Sequence, residues 1–178
     1  MLKGNIGEWS EIYVLLKLLG EGKLFAADEN LNRIENQFFP ITKILREEEK
    51  GKIKEYFPNK ELSVEIYVDG IKQKKFPMSV FNMESELLFE KIKSHKKTKG
   101  TFTVEKTEKF MTEIECFKIK ASSTDKSDIK IEIVDIHTGY SPIVGFSIKS
   151  KLGSAPTLLN AGKTTNFIYK ILCSEMEI

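Results

Sequence analysis

Two short runs near the end of the chain carry acids and a lysine at positions that β-strand geometry can align. Asp128-Ile129-Lys130-Ile131-Glu132-Ile133-Val134 alternates polar and β-branched residues. Gly145-Phe146-Ser147-Ile148-Lys149-Ser150 follows it, after a turn at His137-Thr138-Gly139-Tyr140-Ser141-Pro142. Successive side chains of a strand point to opposite faces. Asp128, Lys130 and Glu132 therefore share one face, with Ile129, Ile131 and Ile133 on the other. On the second strand Ser147 and Lys149 share a face, opposite Phe146 and Ile148. An acid at the start of one strand can then meet Ser147 and Lys149 on its neighbour. That set suits hydrolysis of a phosphodiester. A carboxylate is the right hard ligand for magnesium, which offsets phosphate charge and acidifies water. A nearby lysine can orient the attacking water and stabilise developing negative charge. The pattern is short, and a surface hairpin with ordinary charges gives the same letters. Asp135 is a competing metal ligand, although in a regular strand it falls on the isoleucine face; a bulge would change that. His137 reads as a plain turn residue. Lys151 reads either as a phosphate contact or as a solvated strand-end lysine.

The rest of the chain must position these groups. Gly7 to Leu19 predicts a helix, with Ile12, Leu15, Leu16 and Leu19 at helical spacing and Gly20 and Gly22 to stop it. A second helix is expected from about Pro40 to Lys50, Ile41, Ile44 and Leu45 facing inward and Pro40 in the first turn. Ser63 to Val68, Asp69-Gly70 and Ile71 to Phe76 form a hairpin signal. Ser79 to Ile92 predicts a helix capped by Ser79, with Val80, Met83, Leu87 and Leu88 as its apolar stripe. The lysine-rich run from Lys91 to Lys99, which includes His95, reads as a solvated helix end or as a contact for DNA phosphates. Val104 to Lys118 is expected to be helical, with Phe110, Met111, Ile114 and Phe117 inward. The hairpin strands span Asp128 to Val134 and Ile143 to Ser150. Thr165 to Leu172 fits either a strand or a short helix. Trp9 and Phe167 are expected in the core.

The whole chain sets wider bounds. Its 178 residues suffice for one domain with a real core. One domain is expected over residues 1–178: a largely helical part to about 120, then the hairpin and following segment from about 121. The net charge of +2 neither requires nor excludes nucleic acid, because local charge governs such encounters. Cys116 and Cys173 form no CxxC motif, which argues against zinc, and two free thiols fit a reducing cytoplasm. The opening residues lack the apolar core of a signal peptide, and no stretch has the apolar length of a membrane span.

Several runs, in order, resemble one known family. Lys3-Gly4-Asn5-Ile6-Gly7-Glu8-Trp9-Ser10-Glu11-Ile12-Tyr13 and Gly22-Lys23-Leu24-Phe25-Ala26-Ala27-Asp28 are similar to the opening of HpaII-type type II restriction endonucleases. Gly145 to Ser150, Thr157-Leu158-Leu159-Asn160-Ala161 and Thr165-Asn166-Phe167 resemble the catalytic region of the same family. The resemblance implies the PD-(D/E)xK nuclease class: an α/β fold whose mixed central sheet is flanked by helices. It implies magnesium as cofactor, duplex DNA as partner, a homodimer, and CCGG as target. It places the class aspartate on Asp128, without the usual preceding proline. The later acid-x-lysine element falls on Ser147-Ile148-Lys149, where serine replaces the second acid. A first-helix acid would then complete the metal site, with Glu11 favoured by its spacing from Gly7 and Glu8 close behind; either could instead stabilise the helix N-terminus. Asn160, Thr165 and Asn166 would support the site or contact DNA. Family members are roughly twice as long, so the chain reads as the N-terminal half of such an enzyme or as a truncated one. The rival readings are a non-catalytic DNA-binding or assembly module, an inactive remnant, or a nuclease of the same fold acting on another DNA.

Overall fold

The computed structural model describes residues 1–95, 100–120 and 127–152. In chain order the elements are α1 (Ile6–Glu21), β1 (Lys23–Ala27), β2 (Arg33–Glu49), β3 (Lys52–Pro58), β4 (Ser63–Val68), β5 (Ile71–Pro77), α2 (Met78–Ser94), α3 (Glu105–Glu113), β6 (Ile129–Ile133) and β7 (Ile143–Phe146). The architecture is α/β, a central sheet flanked by helices. The sheet runs β5-β4-β3-β2-β6-β7, with β1 paired to β2 off that path. All of these pairings are antiparallel.

Helix α1 forms where its periodicity predicts. Asn5 and Glu8 make a capping box, each side chain bonded to the other's backbone N–H. Trp9, Ile12, Leu15, Leu16 and Leu19 are buried. Gly22 ends the helix with φ 62°, a left-handed conformation that glycine adopts freely. Gly20 lies inside the helix and serves packing instead: a Cβ there would stand 2.8 Å from the backbone nitrogen of Asn82 on α2. The α1–α2 pair and α3 close over Ile44, Tyr56, Val64, Ile66, Ile129 and Ile131 of the sheet to form the core.

The expected helix from Pro40 to Lys50 is a strand. It is the second half of β2, which runs for 17 residues and pairs with β1, β3 and β6. Its buried positions Ile41, Ile44, Arg46 and Glu48 settle into the alternation of a strand from residue 44 onward. Ladder bonds on both edges outweigh the local helical spacing of Ile41, Ile44 and Leu45. The part before residue 120, expected to be largely helical, thus carries five strands.

Smaller departures have local causes. α2 starts directly from β5, whose Pro77 still pairs with Ser63, so Pro77 and not Ser79 is its N-cap. Its buried face is Met78, Phe81, Glu84, Ser85, Leu88 and Ile92, whereas Met83 and Leu87 are half exposed. The helix expected from Val104 to Lys118 stops at Glu113, because Glu115 turns to φ 60° and Cys116 N–H bonds back to the Met111 carbonyl at 2.8 Å. Phe117, expected inside, is exposed. The hairpin of β4 and β5 and the strand β6 lie where the sequence predicts. β7 is shorter than expected and ends at Phe146. Thr165 to Leu172, Phe167 and Cys173 lie outside the described residues. No helix among the described residues is long and apolar enough to cross a membrane.

Candidate active site

The site is built where three parts of the chain meet. β6 supplies the first. It lies between β2 and β7, with Ile129 opposite Phe146 and Ile131 opposite Val144. Carried one residue further, that register sets Asp128 opposite Ser147. The Asp128 N–H donates to the Phe146 carbonyl at 2.9 Å. Its carboxylate Oδ2 accepts from the Ile148 N–H at 2.7 Å. The aspartate side chain takes the place of a ladder partner for Ile148, which is why β7 ends early. Ser147 and Lys149 stand exposed while Phe146, Ile148 and Ser150 turn partly inward, so the alternation of a strand persists past the ladder. Gly145 permits this crossing, since a Cβ there would lie 2.8 Å from the Cβ of Ser127.

Helix α1 supplies the second part. Glu11 follows the buried Trp9 and Ser10 and is only partly exposed. Its Oε2 is buried and has no hydrogen-bond partner. Burial, and then the nearby Asp128 charge, push the Glu11 carboxyl up to about 7; Arg46 and Lys120 pull the other way. Asp128 is thus near enough for its charge to disfavour ionisation of Glu11. Ser10 ties the helix to the strand end: its hydroxyl donates to the Ile6 carbonyl at 2.7 Å and is hydrogen-bonded to the Ser150 hydroxyl, Oγ to Oγ, at 3.0 Å. The carriers of Glu11 and Lys149 are thus joined one residue away from each.

The loop after α3 supplies the third part. Arg46, Glu48 and Lys54 are all buried. Glu48 accepts from Arg46 Nε at 3.0 Å and from Lys54 Nζ at 2.6 Å. It also accepts from the backbone N–H groups of Phe117 and Lys118. Burial alone would raise the Glu48 carboxyl, but the bonds from Lys54, Phe117 and Arg46 hold it below its ordinary value. Cys116 is buried beside this network, and burial pushes its thiol up to about 12.

The remaining expected site residues are placed as follows. Glu8 is occupied by the Asn5 N–H in the capping box. Asp135 is engaged in its own turn, accepting from His137 N–H at 2.9 Å and Thr138 Oγ1 at 2.8 Å, and these bonds keep its carboxyl low. His137 lies exposed in that turn, and Lys151 is exposed just past the strand end. Asn160, Thr165 and Asn166 lie outside the described residues. Among the described residues no group of three or more His, Cys, Asp or Glu is gathered for a metal ion. The Glu11–Asp128 pair still suits magnesium, which is commonly held by one or two carboxylates. The buried, unpartnered Glu11 Oε2 is an oxygen such an ion would satisfy.

The family model of the HpaII restriction endonuclease matches residues 5–178, a span that contains all of these groups. The chain belongs to the HpaII restriction endonuclease family. Type II restriction enzyme HpaII of Haemophilus parainfluenzae is 39% identical over 170 residues, which is 94% of this chain and 46% of that enzyme. The chain spans about half the length of this curated relative. No solved structure matches it.

Sequence reasoning did not find the Arg46–Glu48–Lys54 network of this HpaII-family chain. Two of its members sit on a strand that the sequence presents as a helix, and the third sits on β3, which the sequence does not announce. The Ser10–Ser150 bond was likewise missed. A serine directly beside Glu11 and another beside Lys149 were the available signal.

Proposed function

We propose that the chain carries the metal-dependent catalytic site of a type II restriction endonuclease that cuts duplex DNA. The observation that supports this most directly is the Glu11–Asp128 carboxylate pair beside the Ser147-Ile148-Lys149 element. Asp128 and Glu11 would hold a magnesium ion, with Ser147 as a neutral neighbour. When bound, such an ion supplies Lewis-acid chemistry, offsetting phosphate charge and easing loss of a proton from water. Lys149 is exposed on the same face as Ser147 and carries the cation that would orient attacking water and stabilise charge on the phosphate. The Asp128–Ile148 bond ties the acid to the backbone one residue before that lysine. CCGG is the target implied by the family resemblance, and a homodimer in the cytoplasm is the setting that goes with it.

The test is cleavage of plasmid DNA bearing CCGG sites by the purified chain with magnesium, beside Asp128→Asn and Lys149→Ala. Discrete fragments from the parent alone are expected. Binding of DNA that ignores both magnesium and Lys149, with no cutting, would replace this reading with a non-catalytic DNA-binding module.

A further inference from the structure

The four-residue path from Cys116 to Ile119 is held by buried charge. Glu48 accepts from the backbone N–H groups of Phe117 at 3.0 Å and Lys118 at 3.3 Å. Arg46 Nη2 donates to the carbonyls of Lys118 and Ile119, the latter at 3.0 Å. Lys54 completes the ion pair with Glu48. Three charges taken out of water stabilise a fold less well than apolar packing of the same volume. These charges spend their bonds on the loop backbone, so what they secure is the course of the loop. The loop is also seated against the start of α1. Ile119 is buried, and its Cδ1 lies 3.0 Å from where a Cβ of Gly4 would stand, next to the Trp9 indole.

The residue this clamp delivers to the surface is Lys120. Lys118 is already used, its Nζ donating to the Glu48 carbonyl at 2.8 Å. Lys120 is exposed, and among the described residues it forms no ion pair within the usual contact distance. Arg46, which holds this loop, lies on β2 at the position facing Ile129 of β6, next to Asp128, so the clamp sets the loop beside the candidate acid. An exposed ammonium on a rigid loop beside a pair of carboxylates is placed for a phosphate approaching those carboxylates.

We propose that Lys120 binds a phosphate of the DNA backbone next to the position that is cut. This rests on the reading above that the chain acts on duplex DNA. A backbone phosphate contact carries no base information, so its effect is equal on all sequences and depends on salt.

The test is binding of a short duplex, with and without CCGG, measured by fluorescence anisotropy in calcium over a series of salt concentrations. The variants are Lys120→Ala, Lys120→Arg, and Lys60→Ala on the distant β3–β4 turn. Thermal melts check that each is folded. For Lys120→Ala the plot of log affinity against log salt is expected to become shallower by about 0.9 on both duplexes, one phosphate contact being lost. Lys120→Arg keeps the parent slope, and so does Lys60→Ala. A folded Lys120→Ala with the parent's affinity and slope overturns this inference and leaves the proposed function standing. Equal losses from Lys60→Ala overturn it as well. A parent chain that binds neither duplex overturns the proposed function and this inference together.

Discussion

Asp128 Oδ2 accepts a hydrogen bond from the backbone N–H of Ile148 at 2.7 Å, so the proposed metal acid is fastened to the residue between Ser147 and Lys149. This gives the carboxylate two separable duties. Asp128→Asn keeps an oxygen for Ile148 and loses the anion; Asp128→Ala loses both. The alanine variant is expected to be less stable than the asparagine variant by about 1–2 kcal/mol, because it leaves a partly buried N–H unpaired. Urea denaturation measures that gap. Both variants are expected to lose manganese binding in calorimetry, and equal stabilities would show that the Ile148 bond contributes nothing.

Glu11 makes the metal-free protein sensitive to pH. Its folded-state carboxyl lies at about 7, above the ordinary value of 4.5. Between those values the folded state binds more protons than the unfolded one, so its contribution falls as pH rises from about 4.5 to 7 and is constant above. The group is partly exposed, and after solvent screening the loss is about 1–3 kcal/mol. Glu11→Gln is expected to remove this slope and to be the more stable protein at pH 8. Urea midpoints recorded in chelator across that window check it; a parallel slope in the variant would assign the effect to another group.

Gly145 is required by contact rather than by backbone angle. Its absent Cβ would meet Ser127 Cβ at 2.8 Å and Oγ at 2.9 Å. Gly145→Ala is expected to cost about 1–3 kcal/mol, the usual range for overpacking. Adding Ser127→Gly removes the clashing carbon and is expected to recover part of that loss, a coupling that a double-mutant cycle reads directly.

Glu48 holds two cations and two backbone N–H groups. Glu48→Ala leaves Arg46 and Lys54 buried without their anion and is expected to destabilise by about 3–5 kcal/mol. The measurement is the shift in urea midpoint; a change under 1 kcal/mol would mean that water enters and replaces the carboxylate.

Cys116 is buried with its thiol pushed up to about 12, so almost none is ionised near neutral pH. Alkylation of the native protein at pH 8 followed by peptide mass mapping is expected to leave the Cys116 peptide unmodified. In denaturant it reacts fully. Labelling of native protein at the rate of a free thiol would contradict the burial.

What the sequence made legible depended on where apolar residues fall. The leucines of α1 and the isoleucines of β6 lie at clean periods and were read correctly. β2 was misread because Arg46 and Glu48 occupy inward positions of its second half, so its apolar residues alone do not alternate. Lys54 of β3 and the backbone of residues 117–119 make charged residues acceptable there, and a local window does not contain that distant loop. The end of α3 failed similarly: Ile114 continues the helical stripe, but the N–H groups of Glu115 and Cys116 bond back to Thr112 and Met111, and Glu48 of β2 takes those of Phe117 and Lys118. Within the candidate site, face parity grouped Asp128, Ser147 and Lys149, and the register agrees with that grouping. The choice of Glu11 over Glu8 rested on resemblance. The structure adds that Glu8 is occupied by Asn5 while Glu11 has an oxygen without a partner.

The placement of β6 also sets an order of assembly. β2 to β5 form a meander of neighbours in sequence, whereas β6 reaches β2 across about 90 residues, as the Thr42–Glu132 bond records. Pairings that close long loops form late. A partly synthesised or partly folded chain can therefore hold the meander and α1 while Glu11 stands with no aspartate beside it. The two acids meet only when β6 docks on β2, so a form of the chain that holds the meander without that pairing does not yet hold the carboxylate pair.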